Sequence, residues 1–525
     1  GHKMGEKKLT RNFILHGGIL AFAGILVRII GMLYRIPMVN IIGSEGNGIY
    51  SVAFNIYNIV LVLSSYGLPM AVSKLVSARY SNRRYKDAHK VFVSSIIISL
   101  TSGGIAALLV FFGADVLEKY IYQYPGIAVP LRVLAPTIFI VAVMGVFRGF
   151  YQGQGTMIPT AVSQLLEQIV NACVSVFAAY MLMKTFKDSA NAGAFGAAGG
   201  TLGTAMGALT ALLFLVFVYI LYRPVFRKKM QRDQYSIGED YQSIFKLIVI
   251  TMIPIILSQT FYQISATIDD IMFSKIMNGI GTDPSQVVRD IGNYNSSYMI
   301  LISLPMGVAS AMSSSMLPSI VASKTKGFFE EIHAKVSATV KANMMIAMPS
   351  FVGFIVLGQP VIQLLFPSYN SVQGGTMLKI GAIAVIFYTL STVTSTALQG
   401  IDKMNIPVIH ACISLIIHII LVWVLLVTTK LGIYALVIGS ASFPVLIYIL
   451  NMISLKNYIG YRQEIKSTFL IPLGCALVMG VVVRVIYDLF MTITSRNLIA
   501  VAVALIAAGA SYFSPLFLCK KKGIY

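Results

Sequence analysis

Acidic side chains are scarce in this chain: 19 Asp and Glu stand against 40 Lys and Arg in 525 residues, and charged residues of both signs make up only 11%. Soluble domains carry roughly 25%, so an ordinary soluble globular protein is excluded. Cysteine is equally sparse. Cys173, Cys412, Cys475 and Cys519 lie in or beside apolar runs at no metal-ligand spacing, which argues against a disulfide framework or a zinc site and leaves them as small packing residues. Several motifs are missing: a Gly-rich phosphate loop followed by Lys-Ser/Thr, a His pair at zinc-like helical spacing, and a Ser nucleophile elbow. No catalytic residue, metal or cofactor is therefore expected, and a transporter is favoured over an intramembrane enzyme. What the chain has in abundance is apolar sequence. Hydrophobic residues make up 57%, mean hydropathy is +0.80, and runs such as 94–112 and 209–221 recur throughout. The expectation is an all-α polytopic membrane protein. The net charge of +21 would suggest nucleic acid for a soluble chain, but in a membrane protein it reports on cytoplasmic loops, so membrane lipids and not nucleic acid are the expected surroundings.

A helix needs about 20 apolar residues to cross the hydrocarbon. Breaking the chain at its polar and Pro/Gly clusters predicts about fourteen spans: 12–42, 48–76, 91–113, 131–152, 159–183, 201–222, 244–275, 293–320, 336–358, 373–399, 406–428, 434–455, 467–491 and 497–518. These breaks place 26 of the 40 Lys and Arg on one side, nine on the other, and five within spans or at their ends (Arg28, Arg35, Lys74, Arg148, Arg484). The positive-inside rule then puts both termini in the cytoplasm. Residues 1–3 ahead of Met4 read as a tag remnant, and the basic start followed by a long span without a small-residue cleavage site reads as a retained helix.

An internal repeat organises the spans. Gln152-Gly153 followed by Pro159 joins the fourth to the fifth, and Gln399-Gly400 followed by Pro407 joins the tenth to the eleventh. Parallel repeats imply two six-helix lobes. The expected division is a cytoplasmic start at 1–11, a first lobe at 12–222, a basic linker at 223–243, a second lobe at 244–455, and two further helices with a basic tail at 456–525.

Charge inside a span is costly and faces the bundle interior or a wet cavity. Arg28 lies near mid-membrane and Arg35 follows nearly two turns later on the same face. Guanidinium is well shaped for phosphate oxygens, so the pair reads either as a ladder for an anionic head group or as buried Arg satisfied by carbonyls or carboxylates. Asn55 and Asn58, three apart, either hydrogen-bond a sugar or join helices. Lys74 snorkels to the interface. Gln164, Glu167 and Gln168 make a polar face; an Arg148–Glu167 ion pair is preferred to a coupling-ion role for Glu167. Asp269 and Asp270 are adjacent and cannot share a face, so Asp269 is taken to look inward, towards Arg35 or a cation, and Asp270 to snorkel outward. His410 and His418 share a face as bundle residues or as a proton relay with a carboxylate, and Arg484–Asp488 has the spacing of a local i,i+4 pair.

The stretch Arg148-Gly149-Phe150-Tyr151-Gln152-Gly153, with Met157, Pro159-Thr160-Ala161, Ser163-Gln164 and Glu167-Gln168, resembles the multidrug/oligosaccharidyl-lipid/polysaccharide exporter superfamily, in the branch of MurJ and stage V sporulation protein B. Arg28-Ile29-Ile30-Gly31, Gly67-Leu68-Pro69, Ala71-Val72-Ser73-Lys74 and Ile268-Asp269 support it, and the resemblance runs over 9–518. It implies a two-lobed flippase that moves an undecaprenyl-diphosphate-linked saccharide, lipid II or a related cell-envelope or spore precursor, outward across a bacterial plasma membrane by alternating access. Arg28 and Arg35 would then hold the diphosphate, and Asn55 and Asn58 the sugar, in a monomer. Two alternatives from other classes are a cation-coupled exporter of amphipathic drugs and a non-transporting scaffold for cell-envelope enzymes. Leu61 and Ile300 stand where that branch carries further basic residues. Ser414 and His418 stand where some members supply Asn and Asp to sodium, so protonation or membrane potential is favoured over bound sodium for resetting, with Asp269, His418 and Glu167 as the coupling candidates.

Overall fold

The computed structural model describes the backbone of residues 2–123 and 125–525, and side chains over the same range except 2–18, 21, 32, 258, 262, 314, 315, 318 and 325. The basic side chains Lys3, Lys7, Lys8 and Arg11, on which the expected inner start rests, lie outside the described residues. The described chain is helical, without strands. The helices are α1 (His2–Ser65), α2 (Leu68–Tyr80), α3 (Tyr85–Val116), α4 (Ala128–Gly153), α5 (Ile158–Thr185), α6 (Ala192–Gln231), α7 (Tyr241–Gly279), α8 (Pro284–Asn293), α9 (Met299–Thr325), α10 (Phe329–Leu365), α11 (Ser371–Gly381), α12 (Ile383–Gly400), α13 (Asn405–Thr428), α14 (Ile433–Ile459), α15 (Ile471–Thr494) and α16 (Asn497–Lys521). Short π-helical stretches at Leu117–Tyr122, Tyr294–Tyr298 and Lys466–Leu470 continue α3, join α8 to α9, and lead into α15.

Thirteen helical stretches among the described residues are long and apolar enough to cross a membrane. The first, Phe22–Tyr80, has 59 residues, about 90 Å at 1.5 Å each, which is enough for two crossings. It is broken at Gly43, whose φ of 74° is reached cheaply only without a Cβ. That kink falls where the sequence predicts the first span to end. Large apolar side chains stay exposed on the outer helix faces, Leu109 at 68%, Phe112 at 73% and Ile506 at 76%, a surface that hydrocarbon solvates and water does not.

Residues 1–274 and 275–525 form two compact units. The expected linker 223–243 thus belongs inside the first unit, and it is held there. Its Glu239 carboxylate accepts from Arg79 Nε at 2.7 Å and Nη2 at 2.8 Å, and from Arg84. Asp87, fully buried, accepts the backbone N–H groups of Ile237 and Glu239 at 3.1 and 3.3 Å. Lys90 Nζ donates to the Glu239 carbonyl at 2.8 Å. This clasp fixes the entry to α7 on the turn between α2 and α3. Below it Phe150 packs against Phe92, centroids 4.5 Å apart, and Phe226, at 5.5 Å.

The local repeat has a packing basis in each unit. In the first, α4 ends at Gly153, where a Cβ would lie 2.7 Å from Val76 Cβ on α2. In the second, α12 ends at Gly400, where a Cβ would lie 2.5 Å from Ile320 Cγ2 on α9. Each Gln-Gly therefore closes a helix at a point where a neighbouring helix packs too closely for a Cβ.

Candidate functional site

The first unit gathers most of the predicted residues around α1. Tyr34 is buried and its hydroxyl accepts from Asn171 Nδ2 of α5 at 3.3 Å. Next to it Arg35 is half-buried; its guanidinium carbon sits 5.6 Å from the Tyr50 ring centroid, a cation–π geometry, and its buried Nε has no hydrogen-bond partner. Two turns back Arg28 is exposed. Among the described residues no carboxylate lies within ion-pair distance of either arginine. Gly31 between them makes room for α5: a Cβ there would lie 3.0 Å from Gln168 Nε2.

Arg148 is the contrast. Its Nη2 donates to Glu167 at 2.8 Å and its Nε to Ser163 Oγ at 3.0 Å, the ion pair that the sequence favours for Glu167. Gln152 closes the same corner through Thr160 Oγ1 at 3.1 Å, and Gln164 lies half-buried one turn beyond Pro159 and Thr160. A positive charge in this unit is thus neutralised in one place and left available in another.

Asp269 and Asp270 are both buried, 5% and 2% exposed. Asp270 therefore does not snorkel outward as expected. It accepts from Asn55 Nδ2 at 2.7 Å, across 215 residues of sequence, a partner that no local spacing announces. Asn55 consequently has one of its two amide hydrogens committed to a carboxylate, while Asn58, half-buried, carries its amide one turn further along α1. Lys74 is exposed on α2.

The histidines of α13 belong to the second unit. His418 Nδ1 donates to the Gly439 carbonyl at 2.9 Å and its ring meets Phe443 edge-on at 5.6 Å. Ser414 Oγ is buried without a hydrogen-bond partner. His410 Nδ1 lies 2.7 Å from Asn451 Oδ1, and Asn451 Nδ2 donates to Thr394 and Ser395 hydroxyls at 3.0 and 2.9 Å; because the Asn451 amide nitrogen faces those hydroxyls, His410 is the donor. This network ties α12, α13 and α14 together, and the sequence shows only its histidines. Arg484 and Asp488 pair locally at 3.2 Å on an exposed face. Among the described residues no group of three or more His, Cys, Asp or Glu is placed to hold a metal ion.

Comparison with known proteins speaks to the chain as a whole. The chain is similar to the lipid II flippase MurJ of Bacillus subtilis (strain 168), 25% identical over 530 residues covering 97% of this chain and 95% of that protein. It is similar to stage V sporulation protein B of the same organism, 23% identical over 457 residues covering 86% and 84%. Among solved structures, the inward closed conformation of lipid II flippase MurJ superimposes with a TM-score of 0.66 at 15% identity, over 96% of this chain and 99% of that one. An outward-facing MATE family multidrug resistance transporter of the MOP superfamily gives 0.64 at 19% identity, over 85% and 95%. The family model described as polysaccharide biosynthesis protein matches residues 14–324, more than half of the chain, and the chain belongs to that family.

Proposed function

We propose that this protein is a flippase for a lipid-linked saccharide, a transporter and not an enzyme, that carries an undecaprenyl-diphosphate-linked sugar from the inner to the outer leaflet of a bacterial plasma membrane with both termini in the cytoplasm. The observation that carries the reading is the end-to-end match with a lipid II flippase, 97% of one chain against 95% of the other. The chemistry of the first unit supports it. Arg28 and Arg35 are cations without a carboxylate in ion-pair reach among the described residues, set about 10 Å apart along α1. A diphosphate offers them oxygen acceptors in the geometry that a guanidinium fork matches. Asn58 and the second amide hydrogen of Asn55 supply donors for a sugar. No covalent step is required: fixed cations replace the water lost by the phosphates, and the polyprenyl tail stays in lipid.

The test is flipping of an undecaprenyl-diphosphate-linked saccharide in proteoliposomes. Loss of one charge-assisted contact removes about 1.5–3 kcal/mol, so Arg28→Ala and Arg35→Ala should each slow flipping about tenfold or more. Wild-type rates in both variants overturn the site. Export of a cationic dye, with no movement of the lipid-linked saccharide, overturns the substrate class.

A further inference from the structure

Helix α6 runs for 40 residues, Ala192–Gln231, about 60 Å at 1.5 Å per residue, against a hydrocarbon core of about 30 Å. One crossing uses about half of it, and the turns from Arg223 onward, rich in Arg and Lys, are the part that hydrocarbon solvates worst; two contacts fix how they are turned. Phe226 is buried against Phe150 and meets Tyr85 edge-on at 6.4 Å. Lys229 Nζ donates to the Tyr80 hydroxyl at 2.6 Å and lies over the Tyr80 and Tyr85 rings at 5.0 and 5.8 Å. With this face pinned to the turn between α2 and α3, the opposite face is presented outward. There Arg223, Pro224, Arg227, Lys228 and Gln231 line a cavity of about 500 Å³. Among the described residues none of its three cations is in an ion pair. Beside it the helix exposes Ile220 at 61%, Leu221 at 64% and Val225 at 51%.

We propose that this cavity seats the phosphodiester head group of an anionic membrane phospholipid. Three cations within two turns, two of them guanidiniums four residues apart, suit phosphate oxygens, and a polybasic segment at a membrane surface attracts anionic lipid roughly fivefold per charge. The adjoining apolar stripe identifies a lipid as the source of the phosphate, because it gives the acyl chains a surface continuous with the head-group site. Pro224, which also lines the cavity, has no N–H, so the Ile220 carbonyl lacks its helical donor. The cavity shares no residue with Arg28 or Arg35, so the proposal stands or falls separately from the transport reading.

The experiment uses the full chain in mixed phosphatidylglycerol/phosphatidylcholine nanodiscs, with native mass spectrometry counting the lipids retained on release. Wild type should retain phosphatidylglycerol over phosphatidylcholine. The variant Arg223→Gln/Arg227→Gln/Lys228→Gln should lose that preference by on the order of a hundredfold, with an unchanged melting temperature because all three side chains are exposed. The charge-matched variant Lys520→Gln/Lys521→Gln/Lys522→Gln should keep it. Equal loss in both variants reduces the effect to net charge and overturns the site, as does full retention in the first. Displacement of phosphatidylglycerol by millimolar inorganic phosphate assigns a free-anion site and overturns the lipid.

Discussion

Asn55 donates its side-chain amide to the Asp270 carboxylate at 2.7 Å, tying α1 to α7 inside the first unit. Asp270 is placed where water is scarce, at 2% exposure, and Asn55 is half-buried beside it, so the bond matters chiefly through the cost of leaving the carboxylate without it. Removing one partner of a buried polar pair costs about 1–3 kcal/mol. Asn55→Ala should therefore lower the melting temperature in detergent. Asp270→Asn should lower it less, because an amide oxygen still accepts from Asn55. If Asn55→Ala melts like wild type and slows only sugar transport, Asn55 serves substrate and not the helix pair.

The clasp around Glu239 makes a stronger prediction. Arg79 is 7% exposed in its side chain and Glu239 16%, and a buried charge that loses its partner is destabilising by about 3–5 kcal/mol. Arg84 keeps Asp87 at 2.9 Å, and Glu239 itself has some solvent contact, so Glu239→Ala should cost about 3 kcal/mol, the low end of that range. Protease should then cut within 232–240 well below the melting temperature. Persistent protection of that segment refutes the clasp as its anchor.

Asp233, in the same segment outside the membrane, gives the clasp a pH signature. Burial works to raise its carboxyl, but hydrogen bonds from the Ser236 hydroxyl and from the backbone N–H groups of Lys86, Tyr235 and Ser236 outweigh it and bring it from 3.8 to about 2. A carboxyl held below its unfolded value contributes stability that is complete above about pH 5 and is lost as pH falls through its folded value. The melting gap between wild type and Asp233→Asn should be flat above about pH 5 and close between about pH 4 and pH 2. A gap that widens on acidification contradicts this.

Why some of these contacts were legible and others not follows from sequence separation. Arg148 and Glu167 flank one helical hairpin, and Arg484 and Asp488 are one turn apart, so spacing alone proposes both pairs; they form at 2.8 and 3.2 Å. The kink at Gly43 was legible because an apolar run too long for one crossing must break at a residue that tolerates the left-handed region. Asn55–Asp270 and Arg79–Glu239 join residues 215 and 160 apart, and a hydropathy pattern carries no information on which helices become neighbours. Asp270 was expected at the interface because adjacent carboxylates cannot share a face; Asn55 shows that the second face can also be satisfied internally.

The two Gln-Gly corners should behave alike if packing is what they share. Forcing a methyl group into a filled contact costs about 1–3 kcal/mol, and a Cβ at Gly153 or Gly400 would meet Val76 or Ile320 at 2.7 or 2.5 Å. Gly153→Ala and Gly400→Ala should both destabilise. Gly509, inside α16 with nothing within 4 Å of its Cβ position, is the control: Gly509→Ala should stabilise by about 0.5–1 kcal/mol through backbone entropy. Neutral melting for both corner variants would falsify the packing account.

Energy coupling is the last expectation to be tested. The Nδ1 proton of His418 is directed at the Gly439 carbonyl at 2.9 Å, so that nitrogen is a donor and has no lone pair for a cation. Nε2 is a poor ligand for sodium, a hard ion that is held by oxygen as other hard cations are. Asp269, buried at 5%, is the carboxylate candidate on which protonation would act during resetting. Flipping should accordingly persist when sodium is replaced by choline at fixed pH and membrane potential, and should respond when either of those is changed. His418→Gln keeps a hydrogen-bond donor near Gly439 but cannot take up a proton; if the second histidine participates in resetting, this variant shifts the pH dependence of transport without lowering the melting temperature. Collapse of transport in choline with recovery at millimolar sodium would show that a sodium site is formed without His418 and would overturn the proton reading.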